Sequence, residues 1–504
     1  MYRFRTIENL LGERRELENQ EIYFSDIESL NDPMEGFREV YWSGDVIAWK
    51  NLFKHYILCL EHMCALAYFD MKGTPFSSVN VPVYRSEDNL PTDRYRQIFN
   101  EICDKFFKNS DMNKYIEIIA SLPWKVSRDE LYSFLRSIHS MAYQSIMEVY
   151  LKYGYIKARE NEPPDYLNHL EKFVEAMDSV NLADKENQES IRSVLDFQRK
   201  VFLEFDLFRA CELYGSAISQ RRWFILSGFT SAYLNRIESL IYPAAYVACF
   251  MEDCTNAAVW SHYGDSHKGV CLKFRTGNKN GAHTIGLKGI TGWGSKPIYG
   301  FRELEFHKMD YTNQFPSTNF FTSIGRLTIG QLMKQWYSDE AGNISKCAAH
   351  IKDDDAEGEW RKQYWDNYDS CFFVKLKDWE YEKEWRLLLS SVLDTFEDAN
   401  DRKRKYKFED LEAIIFGMRT SVEDKVKIIK LIEKKCKENN RENFDFYQAY
   451  YSKQKGRMVI EEPGGRFSRS LFGTRGTVLP VAFWERPGEP LMQRFATFLG
   501  GGNI

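Results

Sequence analysis

The segment that ends at Arg386 carries a concentrated set of charges that could do chemistry. Glu382, Glu384 and Arg386 alternate just before the apolar run at 387–389. In an extended segment these side chains share one face, because strand side chains alternate, and an Arg keeps nearby carboxylates ionised and oriented. The pattern predicts Glu384 as a catalytic carboxylate at the rim of the core, with Glu382 as a second acid. The alternative is a solvated edge strand whose ion pair contributes little.

A second candidate segment is the run Trp260, Ser261, His262, Tyr263 and Gly264, which precedes a strand-like pattern. A turn of this composition exposes polar groups to a ligand. A flat aromatic ring stacks on a base or a nicotinamide, and an imidazole or hydroxyl bonds a ribose hydroxyl. The alternative is a structural loop with Trp260 in the core and the serine as a cap.

A third candidate segment lies near the start of the chain. Residues 31–36 read Asn-Asp-Pro-Met-Glu-Gly, and Tyr2, Arg3 and Ser25 lie on strand-like patterns before them. Asn31 and Asp32 are polar groups that could contact a ligand. The alternative is a structural turn, since Asn and Asp bond their own backbone and Pro presets φ.

The three segments need a common scaffold, because more than two hundred residues separate the first from the second. Each carries polar and aromatic residues beside a strand-like pattern. We therefore expect Arg3, His262 and Glu384 to converge on one site.

Strand-like and helix-like patterns alternate along the chain. Strands are predicted at 245–250, 270–274, 371–376, 384–390 and 411–416. Helix-period apolar residues occupy 48–70, 93–108, 128–153, 165–177 and 188–214. These patterns predict an α+β fold with a modest central mixed β-sheet. Residues 1–45 and 243–455 would form the α+β domain, with a large helical insertion at 46–242 and a smaller one at 324–367.

The last 49 positions differ in composition from the rest. Lysine is common up to Lys455 and absent after it, and residues 456–504 are rich in Arg, Gly and Pro. The shift indicates either a segment of separate origin, such as a readthrough or fusion scar, or a flexible natural tail. It is left out of the fold prediction.

Composition restricts the class of protein. The net charge of -5 argues against a dedicated nucleic-acid binder, which usually has a basic excess. The ten cysteines form no Cys-x-x-Cys pair, which favours reduced thiols and predicts no metal site. The N-terminus lacks an apolar signal-peptide core, and no apolar run reaches the roughly 20 residues that span a bilayer. We expect a cytoplasmic protein without membrane partners.

Several short blocks resemble one bacterial family of unknown function, number 2971. The opening blocks are Tyr-Arg-Phe-Arg at 2–5, Glu-Ile-Tyr-Phe-Ser at 21–25 and Asn-Asp-Pro-Met-Glu-Gly at 31–36. The later ones are Cys-Phe at 249–250, Trp-Ser-His-Tyr-Gly with Lys-Gly-Val-Cys at 260–271, the segment 379–386 and Ile-Ile-Phe-Gly at 414–417. They occur in the family's order and cover about a third of the chain.

The layout of these blocks resembles ADP-ribosyltransferases of the toxin type. Those enzymes carry an aromatic, His or Arg on a first strand, a Ser or Tyr on a middle strand and a Glu on a late strand. The resemblance implies Arg3 or Tyr2 at the first position, and Ser25 or the group at 261–263 at the second. It implies Glu384 at the third, and the Glu-x-Glu spacing of Glu382 and Glu384 is similar to that of some transferases.

The resemblance implies an NAD-dependent ADP-ribosyltransferase that acts as a bacterial toxin or anti-phage defence effector. NAD would be the substrate, and the acceptor would be a protein or a nucleic acid. An antitoxin or a phage-derived product is a further expected partner. The implied catalytic residues are Glu384, Glu382 and His262; the implied NAD-binding residues are Tyr2, Arg3, Ser25, Asn31, Asp32, Trp260, Ser261, Tyr263 and Arg386.

The alternative is a non-enzymatic or nuclease-like defence component whose helical region binds a partner or phage product. The two functions differ in what they require of Glu384. A transferase needs this carboxylate free enough to reach its substrate, whereas a binding protein tolerates a Glu384 that is locked to Arg386.

Overall fold

The computed structural model describes residues 1–32, 34–69, 74–157, 168–213, 217–352, 354–390, 396 and 398–461. The chain forms two compact units. Unit 1 comprises Met1–Phe37, Ala244–Gln314 and the described residues from Ser370 on; unit 2 comprises Arg38–Pro243 and Phe315–Asp369. Pro33, the helix positions predicted at 70, 165–167 and 214, and residues 462–504 of the atypical tail lie outside the described residues.

The strands and α-helices follow in chain order. Up to residue 237 they are β1 Tyr2–Arg5, α1 Ile7–Leu11, α2 Glu16–Asn19, β2 Glu21–Tyr23, β3 Ser25–Asp26, β4 Glu39–Trp42, α3 Val46–Phe69, α4 Asp93–Phe107, α5 Ser110–Ser121, β5 Val126–Ser127, α6 Arg128–Lys152, α7 Asn168–Asp178, α8 Lys185–Leu213, α9 Ala217–Trp223 and α10 Phe229–Ile237. From residue 245 to 332 they are β6 Ala245–Met251, α11 Ala257–Tyr263, β7 Val270–Phe274, β8 Gly277–Lys279, β9 Ala282–Trp293, β10 Pro297–Glu305, β11 His307–Lys308, β12 Asp310–Tyr311, β13 Ser317–Asn319 and α12 Ile329–Leu332. From residue 349 they are α13 Ala349–Lys352, α14 Asp354–Phe373, β14 Val374–Lys375, β15 Glu384–Ser390, β16 Lys403–Tyr406, β17 Leu411–Phe416, α15 Val422–Glu438, β18 Asp445–Ser452 and β19 Arg457–Glu461.

Unit 1 is built on a mixed sheet that has nine strands among the described residues. Its order is β11-β15-β6-β1-β7-β17-β18-β19, and β3 also pairs with β6. The pairs are antiparallel except β17 with β18, which are parallel. Parallel neighbours need a crossover connection, and α15 provides it. The α+β class and the mixed sheet predicted from the sequence are confirmed.

The two faces of this sheet have different coverings. On one face Phe250, Leu272 and Leu387 pack against β9 and α15, with Ile428 and Ile432 fully buried there. On the other face the buried side chains include Phe4, Met251, Cys271 and Trp260, so α11 covers this side. Strand β6, third in this order, has buried residues on both faces, which explains its nearly continuous apolar sequence.

A second sheet in unit 1 has the order β10-β9-β16-β2, with β8 paired to β9. Its β8–β9 hairpin turns at Asn280 and Gly281, whose φ angles are 53° and 89°. Two successive positive φ angles define a type I′ turn, which matches the right-handed twist of the flanking strands. The Asn-Gly pair therefore sets the register of this hairpin.

Unit 2 is mainly helical. Helices α3, α4, α6, α7 and α8 lie within a few residues of the predicted ranges, whereas α5, α9 and α10 were not among them. The start of α6 shows the local cause: Ser127 accepts a hydrogen bond from the backbone N–H of Glu130, whose carboxylate accepts from the backbone N–H of Ser127. A π-helical segment at 224–228 joins α9 to α10. Its Ile225 carbonyl accepts from buried His139 at 2.8 Å, so this histidine is a satisfied core residue.

The strand predicted at 371–376 is wrong for its first half, because α14 continues to Phe373 and only Val374–Lys375 is extended. The helix content predicted for 324–367 is present as α12, α13 and most of α14. Across the part of the chain that is described, no helix combines the length and apolar character needed to cross a bilayer.

Candidate functional site

Tyr2 and Glu384 lie on the same face of the large sheet. Both pair with Met251 of β6, one from β1 and the other from β15. Side chains of directly paired residues leave a sheet on the same side, so Tyr2, Met251 and Glu384 form one row. Ser25 pairs with Val247 on the same strand and shares this face, two rows away.

Arg3 lies on the opposite face. It follows Tyr2 on β1, pairs with Leu272 and stacks over the Phe250 ring at 5.1 Å. Its guanidinium donates to the carbonyl oxygens of Tyr23 and Cys249 at 2.8 and 3.3 Å. Burial lowers the pKa of Arg3 to about 10. The expected convergence of Arg3 with Glu384 is therefore wrong: alternation along β1 turns Tyr2, and not Arg3, to the Glu384 side.

Five charged side chains meet on the Glu384 side of the sheet and are together called the acid–base cluster: Glu35, Lys375, Glu382, Glu384 and Arg386. None has more than 2% of its side-chain surface exposed. The Lys375 ammonium lies 2.9, 2.7 and 3.1 Å from carboxylate oxygens of Glu35, Glu382 and Glu384. The cluster therefore brings three carboxylates around one ammonium.

Arg386 completes the cluster from the side of β15. Its Nε donates to Glu384 at 2.7 Å, and one terminal nitrogen contacts both Glu384 and Glu35. The other terminal nitrogen donates to the Phe372 carbonyl at 2.9 Å. All three guanidinium nitrogens are thus engaged by the protein.

The backbone around Lys383 explains how Glu382 joins this cluster. The expected extended approach to β15 is wrong, because residues Lys377–Glu382 form a 3₁₀ helix. Lys383 then adopts a left-handed φ of 48°, and β15 begins at Glu384. Glu384 and Arg386 share a strand face by alternation, as predicted. Glu382 reaches the same place from the end of the 3₁₀ helix.

Glu35 and Lys375 were not identified from the sequence. Glu35 lies in the turn at 31–36, where the Asp32 side chain accepts from the Met34 N–H at 2.9 Å and Gly36 has a φ of +68°. Asp32 is buried in this turn, and Asn31 is exposed. Lys375 occupies β14 as a single charge in an apolar stretch. A lone charged residue in such a stretch is a usable signal, because buried Lys and Glu are nearly always paired.

The three carboxylates of the acid–base cluster differ in the direction in which their pKa values are shifted. Burial raises the pKa values of Glu35 and Glu382. Burial also acts to raise that of Glu384, but Arg386 and Lys375 outweigh it and lower the pKa to about 2. Burial disfavours the Lys375 ammonium, yet the surrounding carboxylates hold its pKa above the usual range. Neighbouring acids with opposite shifts are typical of acid–base sites, although ion-pair networks produce them as well.

The expected position of Glu384 at the rim of the core is wrong. Its side chain is 1% exposed, and both carboxylate oxygens accept hydrogen bonds from Arg386 or Lys375. Its backbone N–H donates to the Tyr311 hydroxyl at 2.7 Å. Glu384 is therefore locked to Arg386, which is the arrangement that a binding protein tolerates and a transferase does not need.

The segment at 260–264 is a helix rather than an exposed turn. Asn256 caps α11 by accepting from the N–H groups of Ala258 and Val259. Trp260 is fully buried, donates its Nε1 to the Cys254 carbonyl at 2.7 Å and meets Phe4 edge-on at 4.9 Å. The helix directs Trp260 into the core, so its predicted role of stacking on a ligand is not supported by its position. Ser261 is exposed.

Four aromatic side chains lie beside the cluster and are called the aromatic rim: His262, Tyr263, Trp379 and Tyr381. Tyr263 donates its hydroxyl to Glu382 at 3.0 Å. His262 is exposed, meets the Tyr381 hydroxyl at 3.4 Å and lies 6.1 Å from the Trp379 ring. The Lys375 ammonium lies 4.7 Å from the centre of the Trp379 ring. A rim of this kind suits a flat or cationic ligand.

The loop after α11 concentrates backbone strain close to this rim. Asp265, Ser266 and His267 have φ angles of 48°, 51° and 70°, three successive left-handed residues without a glycine. Such residues cost free energy and persist only where the surroundings hold them. Gly269 allows the close approach, since a Cβ there would collide with the Arg5 carbonyl oxygen.

The comparison with protein families agrees with part of the resemblance drawn from the sequence. Residues 259–387 match the model of the family described as "Protein of unknown function (DUF2971)". This stretch is similar to that family and contains the aromatic rim together with Lys375, Glu382, Glu384 and Arg386. Glu35 and Tyr2 lie outside it. No curated protein and no solved structure matches the chain.

Proposed function

We propose that this chain is an NAD-dependent ADP-ribosyltransferase whose active site is the acid–base cluster together with the aromatic rim. The observation that carries the proposal is the meeting of Glu382 and Glu384, with opposite pKa directions, beside an aromatic surface. The Tyr2 side chain on the same sheet face matches the first-strand aromatic of the transferase pattern.

The reaction needs a negatively charged group at a site from which water is excluded. The bond between the ribose C1′ and the nicotinamide nitrogen breaks, and its electron pair neutralises the pyridinium. The acceptor nucleophile then bonds C1′ and loses a proton. Glu384 is held ionised by Arg386 and Lys375, and this role requires it to exchange its Lys375 contact for the ribose when NAD binds. Its charge then stabilises the positive charge that develops on the ribose, and carboxylates are most effective where water is excluded. Glu382, whose pKa is raised by burial, is suited to take the proton.

The residues fit one end of NAD better than the other. Nicotinamide in NAD is a flat cation, and the aromatic rim offers rings to a ligand of that kind. The diphosphate needs an accessible cation, whereas Arg386 is buried and donates to Glu35, Glu384 and the Phe372 carbonyl. Within this proposal Arg386 positions Glu384 and does not contact NAD, in contrast to the role expected from the sequence.

The biological role rests on the resemblance alone. A bacterial toxin or anti-phage effector would use this reaction to modify a protein or a nucleic acid. An antitoxin or a phage-derived product would be its regulatory partner.

A second candidate function is favoured by one observation. Both carboxylate oxygens of Glu384 are occupied by Arg386 and Lys375. In a non-enzymatic or nuclease-like defence component the cluster would hold β14, β15 and the turn at Glu35 together, and other surfaces would bind the partner.

Release of nicotinamide from NAD tests the first function at the aromatic rim. Tyr381→Ala should raise the KM for NAD roughly 5-fold, because an aromatic contact with a cation contributes on the order of 1 kcal/mol. Tyr451→Ala, at an exposed tyrosine of β18, is the matched control and should leave KM unchanged. If the wild-type protein releases no nicotinamide with any acceptor preparation, the transferase proposal fails and the second candidate stands.

A further inference from the structure

Helix α8 in unit 2 carries an apolar stripe on its outer side. The stripe comprises Val194, Phe197, Val201, Phe205 and Phe208. Their spacings of three, four, four and three residues keep all five within about 40° of one line along the helix. Val194, Phe197, Phe205 and Phe208 are 64, 68, 59 and 69% exposed, and Val201 between them is half-buried. Leu207, turned about 120° from Val201, is exposed outside this stripe.

The inner side of the same helix is already occupied. Leu195 is buried, and its carbonyl accepts from the Ser133 hydroxyl of α6 at 2.9 Å. Asp206 pairs with Arg136 of α6 at 2.6 Å and accepts from Tyr132. These contacts fix the rotation of α8 about its axis, so the α8 stripe faces outward for a structural reason.

The size of the stripe matches a specific interface. A buried aromatic side chain covers about 150–250 Å², so these exposed fractions leave roughly 500 Å² of apolar side-chain surface on the stripe. A standard interface takes about 800 Å² from each partner, with a polar rim around an apolar centre. Patches of several hundred Å² on a soluble protein usually mark an interaction site.

The spacing of the stripe identifies its partner. The positions lie at −7, −4, 0, +4 and +7 from Val201, so the stripe reads the same from either end. A two-fold interface favours this property, because residue i meets residue j while j meets i, and a symmetric spacing places apolar residues opposite apolar residues. An antiparallel copy of α8 would place Phe197 against Phe205 and Val194 against Phe208, with Val201 meeting itself. A narrow apolar stripe of this type is the seam of paired helices.

We propose that two copies of this chain dimerise through antiparallel α8 helices, with the two-fold axis at Val201. The proposal rests on unit 2 alone and is independent of the function assigned to the acid–base cluster.

The mass of the full chain in solution, measured by light scattering over a wide concentration range, tests the dimer. Twice the chain mass is expected for the wild type, and Phe205→Glu should give a monomer that keeps the wild-type circular dichroism spectrum and has lost the concentration dependence of the melting temperature. Leu203→Glu is the matched control: Leu203 is exposed on the same helix but is turned about 160° away from Val201, so this variant should remain dimeric. A monomeric wild type, or a Phe205→Glu protein that remains dimeric, would overturn the proposal.

Cross-linking tests the position of the axis. In a Cys211→Ser background, Val201→Cys should form a disulfide with its own copy. Val194→Cys alone should not, whereas a mixture of Val194→Cys and Phe208→Cys chains should cross-link. Native Cys211 lies ten residues beyond Val201, about 15 Å along the helix, so its two copies would be about 30 Å apart. Efficient self-cross-linking of Val194→Cys would indicate a parallel pair and contradict the proposal, as would a monomer that binds vesicles of anionic phospholipid.

Discussion

At the residue scale, the acid–base cluster holds two cations against three carboxylates in a place that water does not reach. Burying charges costs several kcal/mol per ion, and the cost is offset only when each charge has well-placed partners. Lys375 contacts three carboxylates, and Arg386 contacts two and a backbone carbonyl. Loss of either cation therefore leaves carboxylates that are buried with too few partners.

Lys375→Met tests this balance directly. Removing the ammonium should lower the free energy of unfolding by about 3–5 kcal/mol, the usual cost of breaking a buried ion pair. Lys377→Met is the matched control, since Lys377 is exposed two residues further on, and should change stability by less than about 0.5 kcal/mol. Urea unfolding measures both variants; equal stabilities would show that the ammonium is not the centre of the cluster.

The lowered pKa of Glu384 predicts part of the acid sensitivity of the protein. The folded-state pKa is about 2 against an ordinary value of 4.5, so the ionised form favours the folded state. This contribution is complete above pH 4.5 and is lost as the pH falls towards 2. It is worth roughly 3 kcal/mol, at about 1.4 kcal/mol per pKa unit. The raised pKa values of Glu35 and Glu382 act in the opposite direction, because their protonation favours the folded state.

Glu384→Gln removes that contribution, and it also removes the repulsion by which Glu384 raises the pKa values of Glu35 and Glu382. The stability difference between wild type and variant should be largest near pH 7 and should shrink as the pH falls below 4.5. Unfolding measured at a series of pH values gives the difference at each point. A difference that stays constant through this range would mean that Glu384 is not held ionised in the fold.

At the element scale, the strained loop at 265–267 and the nearby Gly269 position helix α11. The position of α11 in turn sets the position of the aromatic rim. Gly269 lies against the Arg5 carbonyl of β1, where a side chain has no room. Gly269→Ala should therefore destabilise the protein by about 1–3 kcal/mol, the cost of overpacking. Gly358→Ala is the contrasting control, because that glycine lies in α14 with open space around its Cβ position. It should raise stability by about 0.5–1 kcal/mol. Thermal unfolding distinguishes the two, and a neutral Gly269→Ala would contradict the close packing.

The elements themselves were largely predictable. Strands at 270–274, 384–390 and 411–416 have the bounds expected from their apolar runs, which are buried in the large sheet. The 3₁₀ helix at 377–382 and helix α11 were not predicted. Both segments are too short for helical periodicity to register, and the buried Trp260 that orients α11 packs against Phe4, more than 250 residues away.

At the scale of the whole molecule, the site is assembled from distant parts of the chain within unit 1. Glu35 and Lys375 are 340 residues apart in the sequence and 2.9 Å apart in the fold. No local pattern encodes such a pair, so the sequence identified Glu382, Glu384 and Arg386 but not the two residues that complete their charge balance. To decide whether Tyr2 or Arg3 lies on the Glu384 side of the sheet also required the register of β1 against β6 and β7.

The central claim is that the acid–base cluster cleaves NAD, and nicotinamide release by Glu384→Gln tests it most directly. The assay should be run beside melting temperatures, with Glu380→Gln as the exposed control from the same segment. The account predicts that Glu384→Gln lowers turnover by roughly 10²–10³ at a temperature where the variant is folded, while Glu380→Gln keeps wild-type turnover. A folded Glu384→Gln protein that releases nicotinamide at the wild-type rate would contradict the claim and leave the cluster with a structural role.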